Sequence, residues 1–130
     1  MAEFKQVAGF DSLTNELQTL RSDARPIFLM FSGSKDETGK SWCPDCVTAE
    51  PIVRKVAHDV LDVADAVFIY VTVGPRDYWK DKSNPFRTSA DFKLTAVPTL
   101  MQWKKPNRLV EEQCFKTDLI EMLFADAVQE

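Results

Sequence analysis

Two cysteines three positions apart, Cys43 and Cys46 in the run SWCPDC, are the residues whose spacing points most directly to chemistry in this 130-residue chain. At the start of a helix such a pair can close a small disulfide ring. Aligned backbone dipoles and free first-turn amides stabilise the thiolate of the first cysteine. Cys43 is therefore the expected nucleophile, attacking a substrate disulfide to give a mixed disulfide. Cys46, one turn deeper, then attacks the Cys43 sulfur and releases the reduced substrate. A C-x-x-C pair is also half of a zinc site, but zinc normally takes four ligands, and His58 and Cys114 form no familiar second pair. No metal is expected. His58 reads as an exposed or partly satisfied helical side chain, and Cys114 as a small buried apolar residue.

Other residues would shape that dithiol. VPT at 97–99 precedes a β-like run. A cis Pro98 there would set the Val97 backbone beside the dithiol, where it can pair with an extended substrate. Pro44 suits a first helical position, and Asp45 puts a carboxylate in the first turn, favourable to the helix dipole but opposed to a nearby thiolate. Trp42 is expected to pack over the dithiol and leave an apolar docking patch. Lys35 and Lys40 are expected on its rim, where they raise thiolate character. Tyr78 and Trp79 lie on a second, exposed-looking arm that can approach the same face and contact substrate.

The elements that must hold these residues follow from hydrophobic periodicity. KQVAGF gives a short strand, and Asp11 is placed to cap a helix over about 12–21 with an apolar stripe at Leu13, Leu17 and Leu20. Ile27 to Phe31 is a continuous apolar run, suited to a strand covered on both faces. SGSKDETGKSW is loop, and helical spacing from Pro44 reaches about residue 62, with Pro51 inside it. AVFIYVTV at 66–73 is a second buried strand, so strand, helix and strand make a parallel crossover. A long polar connection then carries Tyr78 and Trp79, with a short helix around 85–91. Strands at about 98–103 and 108–111 form a hairpin across KKPN, and Leu119, Ile120, Leu123, Phe124 and Ala127 mark one face of a terminal helix.

Size and charge narrow the function classes. A chain of 130 residues suits a single domain spanning 1–130, and 45% hydrophobic residues supply its core. Sixteen basic against twenty acidic residues, net charge -4, leave no cationic footprint for nucleic acid or an anionic membrane. No run approaches the roughly 20 apolar residues of a membrane span, and the amino end lacks a signal-like pattern. The expected location is the cytoplasm, and three cysteines are the wrong parity for a disulfide-stapled secreted domain.

WCPDC at 42–46, Pro51 behind it and VPT at 97–99 resemble the thioredoxin superfamily over nearly the whole chain. FSGSKDETGKSWCPDCVTAEP and VGPRDYWKDKSNPFR are similar to a small cytosolic thioredoxin-related branch of it. The resemblance implies an α/β, thioredoxin-like fold: a central mixed β-sheet flanked by helices in three α/β/α layers, ordered strand, helix, strand, helix, strand, helix, hairpin, helix. It implies a protein-disulfide reductase in which Cys43 attacks, Cys46 resolves and Pro98 is the cis proline beside them. Its substrates would be peptide, small-molecule and selected protein disulfides. No cofactor would be bound, because the dithiol carries both electrons and NADPH supplies them through thioredoxin reductase. Peroxidase activity, a role among tumour-necrosis-factor signalling components and a monomeric state are further implications. The alternative is a redox-sensitive binding module in a cytosolic signalling assembly. Two departures stand out: Pro44-Asp45 replaces the usual Gly-Pro, and Met30 stands where thioredoxin carries a buried aspartate.

Overall fold

A computed structural model describes residues 2–128, with side chains as far as residue 125, so the side chain of Ala127 lies outside the described residues. The chain runs β1 (Glu3–Ala8), α1 (Phe10–Thr19), β2 (Ile27–Ser32), α2 (Pro44–Leu61), β3 (Val67–Thr72), α3 (Arg76–Lys80) and α4 (Pro85–Thr88). It continues through β4 (Thr99–Gln102), β5 (Arg108–Val110), a 3₁₀ turn (Glu111–Phe115) and α5 (Thr117–Val128). The strands form one mixed sheet in the order β1-β3-β2-β4-β5. β3 is parallel to both β1 and β2, β4 runs antiparallel to β2, and β4 and β5 make the expected hairpin.

β2 and β3 are apolar without alternation because both faces of the sheet are covered. Ile27, Leu29 and Phe31 join Val67, Ile69 and Val71 on one face, packed with Leu13 and Leu17 of α1. Phe28, Met30, Phe68 and Tyr70 point the other way, into Ala49, Val53 and Ala57 of α2 and Ile120 and Phe124 of α5. Period-two side-chain direction in the strands thus builds two cores, giving the three-layer α/β/α arrangement of a thioredoxin-like fold. Phe28 and Phe124 meet edge to face at 4.9 Å across the second core. Losing either ring to alanine would cost about 3–5 kcal/mol.

Three expectations are corrected. α1 begins at Phe10, not near 12, and its N-cap is Gly9 at φ 91°, not Asp11, which lies in the first turn. Gly9 turns the chain sharply out of β1 through a backbone conformation that residues with a side chain rarely adopt. The helix expected at 85–91 is shorter, α4 over Pro85–Thr88, and a further helix, α3, stands in the stretch read as polar connection. Asn84 joins them: 4% exposed, it caps α4 by accepting from the Arg87 N–H at 3.3 Å, and its amide nitrogen donates to the carbonyls of Trp79 at 3.0 Å and Asp81 at 2.8 Å. Trp79 is buried rather than exposed, with 6% of its surface left, and lies under the Arg87 guanidinium at 3.9 Å. Short turns of helix cannot persist alone. Asn84, Arg87 and the indole make this segment one packed unit.

Candidate active site

Cys43 closes the loop before α2 and is the N-cap of that helix, with Pro44 at its first position. The cap conformation, φ −96° and ψ 108°, turns the cysteine side chain back over the first turn, where its sulfur accepts the Cys46 N–H at 3.1 Å. Cys43 and Cys46 are joined by a disulfide, their Cα atoms 5.2 Å apart. Cys43 keeps 5% of its surface and Cys46 1%, so the first cysteine is the more exposed of the two. An amide directed at Cys43 Sγ from the helix start favours negative charge on that sulfur when the pair is reduced.

Each cysteine is held by a second segment. The Val97–Pro98 bond is cis, and the Val97 carbonyl oxygen lies 3.7 Å from Cys43 Sγ. Val97 and Pro98 are both buried. Gly33, just after β2, donates its N–H to Cys46 Sγ at 3.5 Å. Ser41 ties the two approaches together: its hydroxyl donates to the Gly33 carbonyl at 2.7 Å and accepts the Cys43 N–H at 3.1 Å. Asp45 is partly exposed in the first turn of α2, and Pro44 is exposed.

The arm between β2 and α2 is built rather than loose. Lys35 and Ser41 pair across it, and the Asp36 carboxylate at its tip accepts the N–H groups of Thr38 and Lys40. Those bonds, the Thr38 hydroxyl first, hold the Asp36 carboxyl below the usual carboxylate range. Trp42 joins the arm to the neighbouring loop. Its indole lies so close to Gly33 that a Cβ there would come within 2.6 Å of the ring, and its Nε1–H donates to the Gly74 carbonyl at 2.9 Å. Ser34 and Gly74 also exchange hydrogen bonds, and the Tyr78 ring packs on Gly74. Tyr78 thus remains exposed on an arm that meets the first one, whereas Trp79 faces the core. The Lys35 ammonium is taken up by Glu50 at 3.3 Å, and Lys40 is exposed.

The remaining candidates fall outside the dithiol. Cys114 is fully buried in the opposite core, its sulfur 3.5 Å from the Leu109 carbonyl, and burial pushes its thiol up to about 12. His58 is exposed and stacks on Phe4 at 4.3 Å. Among the described residues no group of three or more His, Cys, Asp or Glu is arranged to hold a metal ion. Sequence reasoning overlooked Gly33, Ser41, Glu50 and Gly74. Glu50 carried a readable signal, because Cys46, Glu50 and Arg54 recur every four residues and so share one face of α2. Gly33, Ser41 and Gly74 lie in loops and had none.

Comparison with known proteins agrees with this geometry. Residues 6–126 match the family described as thioredoxin domain-containing protein 17-like, thioredoxin domain. The chain is 45% identical to thioredoxin domain-containing protein 17 of Mus musculus over 128 residues, covering 97% of this chain and 99% of that protein. It is 36% identical over 122 residues to thioredoxin-like protein Clot of Arabidopsis thaliana, covering 88% of this chain and 90% of that one. Among solved structures, oxidised thioredoxin O1 of Arabidopsis thaliana superposes with a TM-score of 0.58 at 20% identity, covering 94% of this chain and 98% of that one. That likeness concerns the fold. The match across nearly the full length, with a Cys-Cys pair capable of disulfide chemistry at its helix start, shows that the chain belongs to the thioredoxin domain-containing protein 17-like family of the thioredoxin superfamily.

Proposed function

We propose that this protein is a thiol-disulfide oxidoreductase that reduces peptide, small-molecule and selected protein disulfides. The observation that carries the reading is the Cys43 sulfur at the α2 N-cap, 3.1 Å from the Cys46 amide and 3.7 Å from the Val97 carbonyl. In the reduced protein the Cys43 thiolate attacks one sulfur of the substrate disulfide. The substrate S–S bond breaks, a Cys43–substrate bond forms, and the other substrate sulfur leaves with the bonding pair. Cys46 then attacks Cys43 Sγ, the Cys43–Cys46 bond closes, and the second substrate sulfur leaves as a thiolate. Two electrons pass from the dithiol to the substrate.

An extended substrate would lie along the Val97 backbone, with Trp42 and Tyr78 beside it. Thioredoxin reductase, drawing on NADPH, would return the two electrons, so no organic cofactor need be bound. The reading places the protein in the cytoplasm, where dithiols are kept reduced, and treats it as a monomer. Protein partners follow the resemblance, with components of tumour-necrosis-factor signalling among them. Attack on hydrogen peroxide would be a secondary activity of the same thiolate. The test is NADPH consumption with thioredoxin reductase and cystine or a peptide disulfide. Catalytic turnover lost in Cys43→Ser is expected. Background turnover, with partner affinity that changes on oxidation, would replace the reductase with a redox-sensitive binding module.

A further inference from the structure

Closing the Cys43–Cys46 bond requires Cys46 to lose its proton, since the thiolate is the attacking species. Cys46 is 1% exposed, so that proton needs a route. A cavity of about 20 Å³ lies against Cys46, bounded by Met30, Gly33, Glu50, Arg54 and Tyr70 among others. One water requires roughly 10–15 Å³ and two to four polar partners. The partners are there. The Tyr70 hydroxyl is buried and has no hydrogen-bond partner among the described residues, in a residue only 7% exposed. Arg54 stacks over the face of the Tyr70 ring, 3.7 Å from its centroid. Glu50 lines the same cavity, its carboxylate held by Lys35 at 3.3 Å and Arg54 at 3.0 Å, and its side chain is 24% exposed. Met30, from β2, closes the cavity with an apolar side chain that cannot take a proton.

We propose that Glu50 is the positioning residue of the resolving step: together with the Tyr70 hydroxyl it holds one water against Cys46 Sγ and conducts the Cys46 proton to solvent. The inference rests on the reductase reading for its chemistry. The proton passes from Cys46 Sγ to the water and from the water to the Glu50 carboxylate. The Cys46 sulfur attacks Cys43 Sγ, the Cys43–substrate bond breaks, and the departing thiolate takes a proton from bulk water. Glu50, reaching solvent at its outer edge, gives its own proton back. The charged and titratable groups facing Glu50 are Lys35 from the arm, Arg54 and Cys46 from α2, and Tyr70 from β3. Burial raises the Tyr70 phenol to about 12, so it stays a donor throughout the working range.

Stopped-flow reaction of the reduced full-length chain with 5,5′-dithiobis(2-nitrobenzoate) separates the steps. The first thionitrobenzoate reports attack by Cys43, and the second reports resolution by Cys46. Glu50→Gln is expected to slow the second phase about tenfold near pH 7 and leave the first unchanged, with the deficit closing as hydroxide takes over above about pH 9. Glu50→Asp should recover part of the rate, and Tyr70→Phe should slow the same phase. An unchanged second phase in Glu50→Gln would overturn the proposal. So would a loss shared by both phases, or one that persists at high pH without rescue by aspartate, because either marks a packing defect. The reductase reading fails separately: the wild-type chain would show both phases yet support no turnover with NADPH and thioredoxin reductase.

Discussion

Cys43 accepts the Cys46 amide at 3.1 Å and keeps 5% of its surface, while Cys46, three positions on in the same turn, keeps 1%. On the proposed mechanism those positions divide the labour. Cys46→Ser should accumulate a substrate adduct on Cys43, and Cys43→Ser should trap none, as read by mass mapping after reaction with a peptide disulfide. An adduct chiefly on Cys46 or Cys114 would reverse the order. Cys114 makes a different prediction. Its thiol is raised from 9.0 to about 12 by burial, so the folded chain holds that proton more tightly than the unfolded chain. The stability this contributes is intact below pH 9 and is lost as pH rises toward 12. Tyr70, raised from 10.0 to about 12, acts in the same direction. Unfolding of the oxidised protein in urea should show a declining midpoint over that range. Cys114→Ala should flatten the decline while costing about 1–2 kcal/mol at pH 8 through the cavity it leaves. The burial of Cys114 was legible from its residue type and place in the chain. The surroundings of Cys46 were not, because Gly33 reaches it from the loop after β2 and Tyr70 borders its cavity from β3.

Between β3 and β4 the elements depend on one polar side chain. Asn84 caps α4 and bridges back to the last carbonyls of α3, and Arg87 completes the unit by donating to the Trp79 carbonyl at 2.9 Å while covering its ring. Asn84→Ala removes a buried donor set and the cap of α4 while Arg87 and the backbone still serve the Trp79 and Asp81 carbonyls, which should cost about 1–2 kcal/mol. Urea denaturation of the oxidised chain measures it, and a loss below about 0.5 kcal/mol would show that α3 and α4 hold without the bridge. This segment also marks how far periodicity reads. α1, β2, α2, β3 and α5 announce themselves by apolar runs or 3.6-residue stripes long enough to define a face. α3 and α4 are five and four residues long, too short for a stripe, and their order comes from tertiary bonds. Asn84-Pro85 did carry a cap-and-first-turn signal at the start of α4.

Across the whole molecule, two loops from neighbouring parallel strands meet at Trp42, the residue before Cys43. The arm after β2 and the loop after β3 are knit by Trp42 Nε1 and Ser34 to Gly74, so their shape is fixed as one rim. A fixed rim restricts broad folded partners more than extended chains, because misfit costs contacts on every side. Deleting residues 34–39 should therefore raise kcat/KM for a folded protein disulfide several-fold relative to a small peptide disulfide. An unchanged ratio in a folded variant would remove the rim from substrate choice. The sequence by itself determined the local terms: which runs are apolar enough to be central strands, where α2 starts, and that two cysteines share its first turn. These depend on residue type and short-range spacing, which the backbone geometry of helix and strand converts directly into direction. Tertiary structure alone decided that Trp79 turns inward, that Lys35 is taken up by Glu50, and that Tyr70, Glu50 and Cys46 border one cavity. Those outcomes depend on which loops and strands become neighbours, and that is settled by packing two cores on opposite faces of one sheet rather than by any stretch of chain alone.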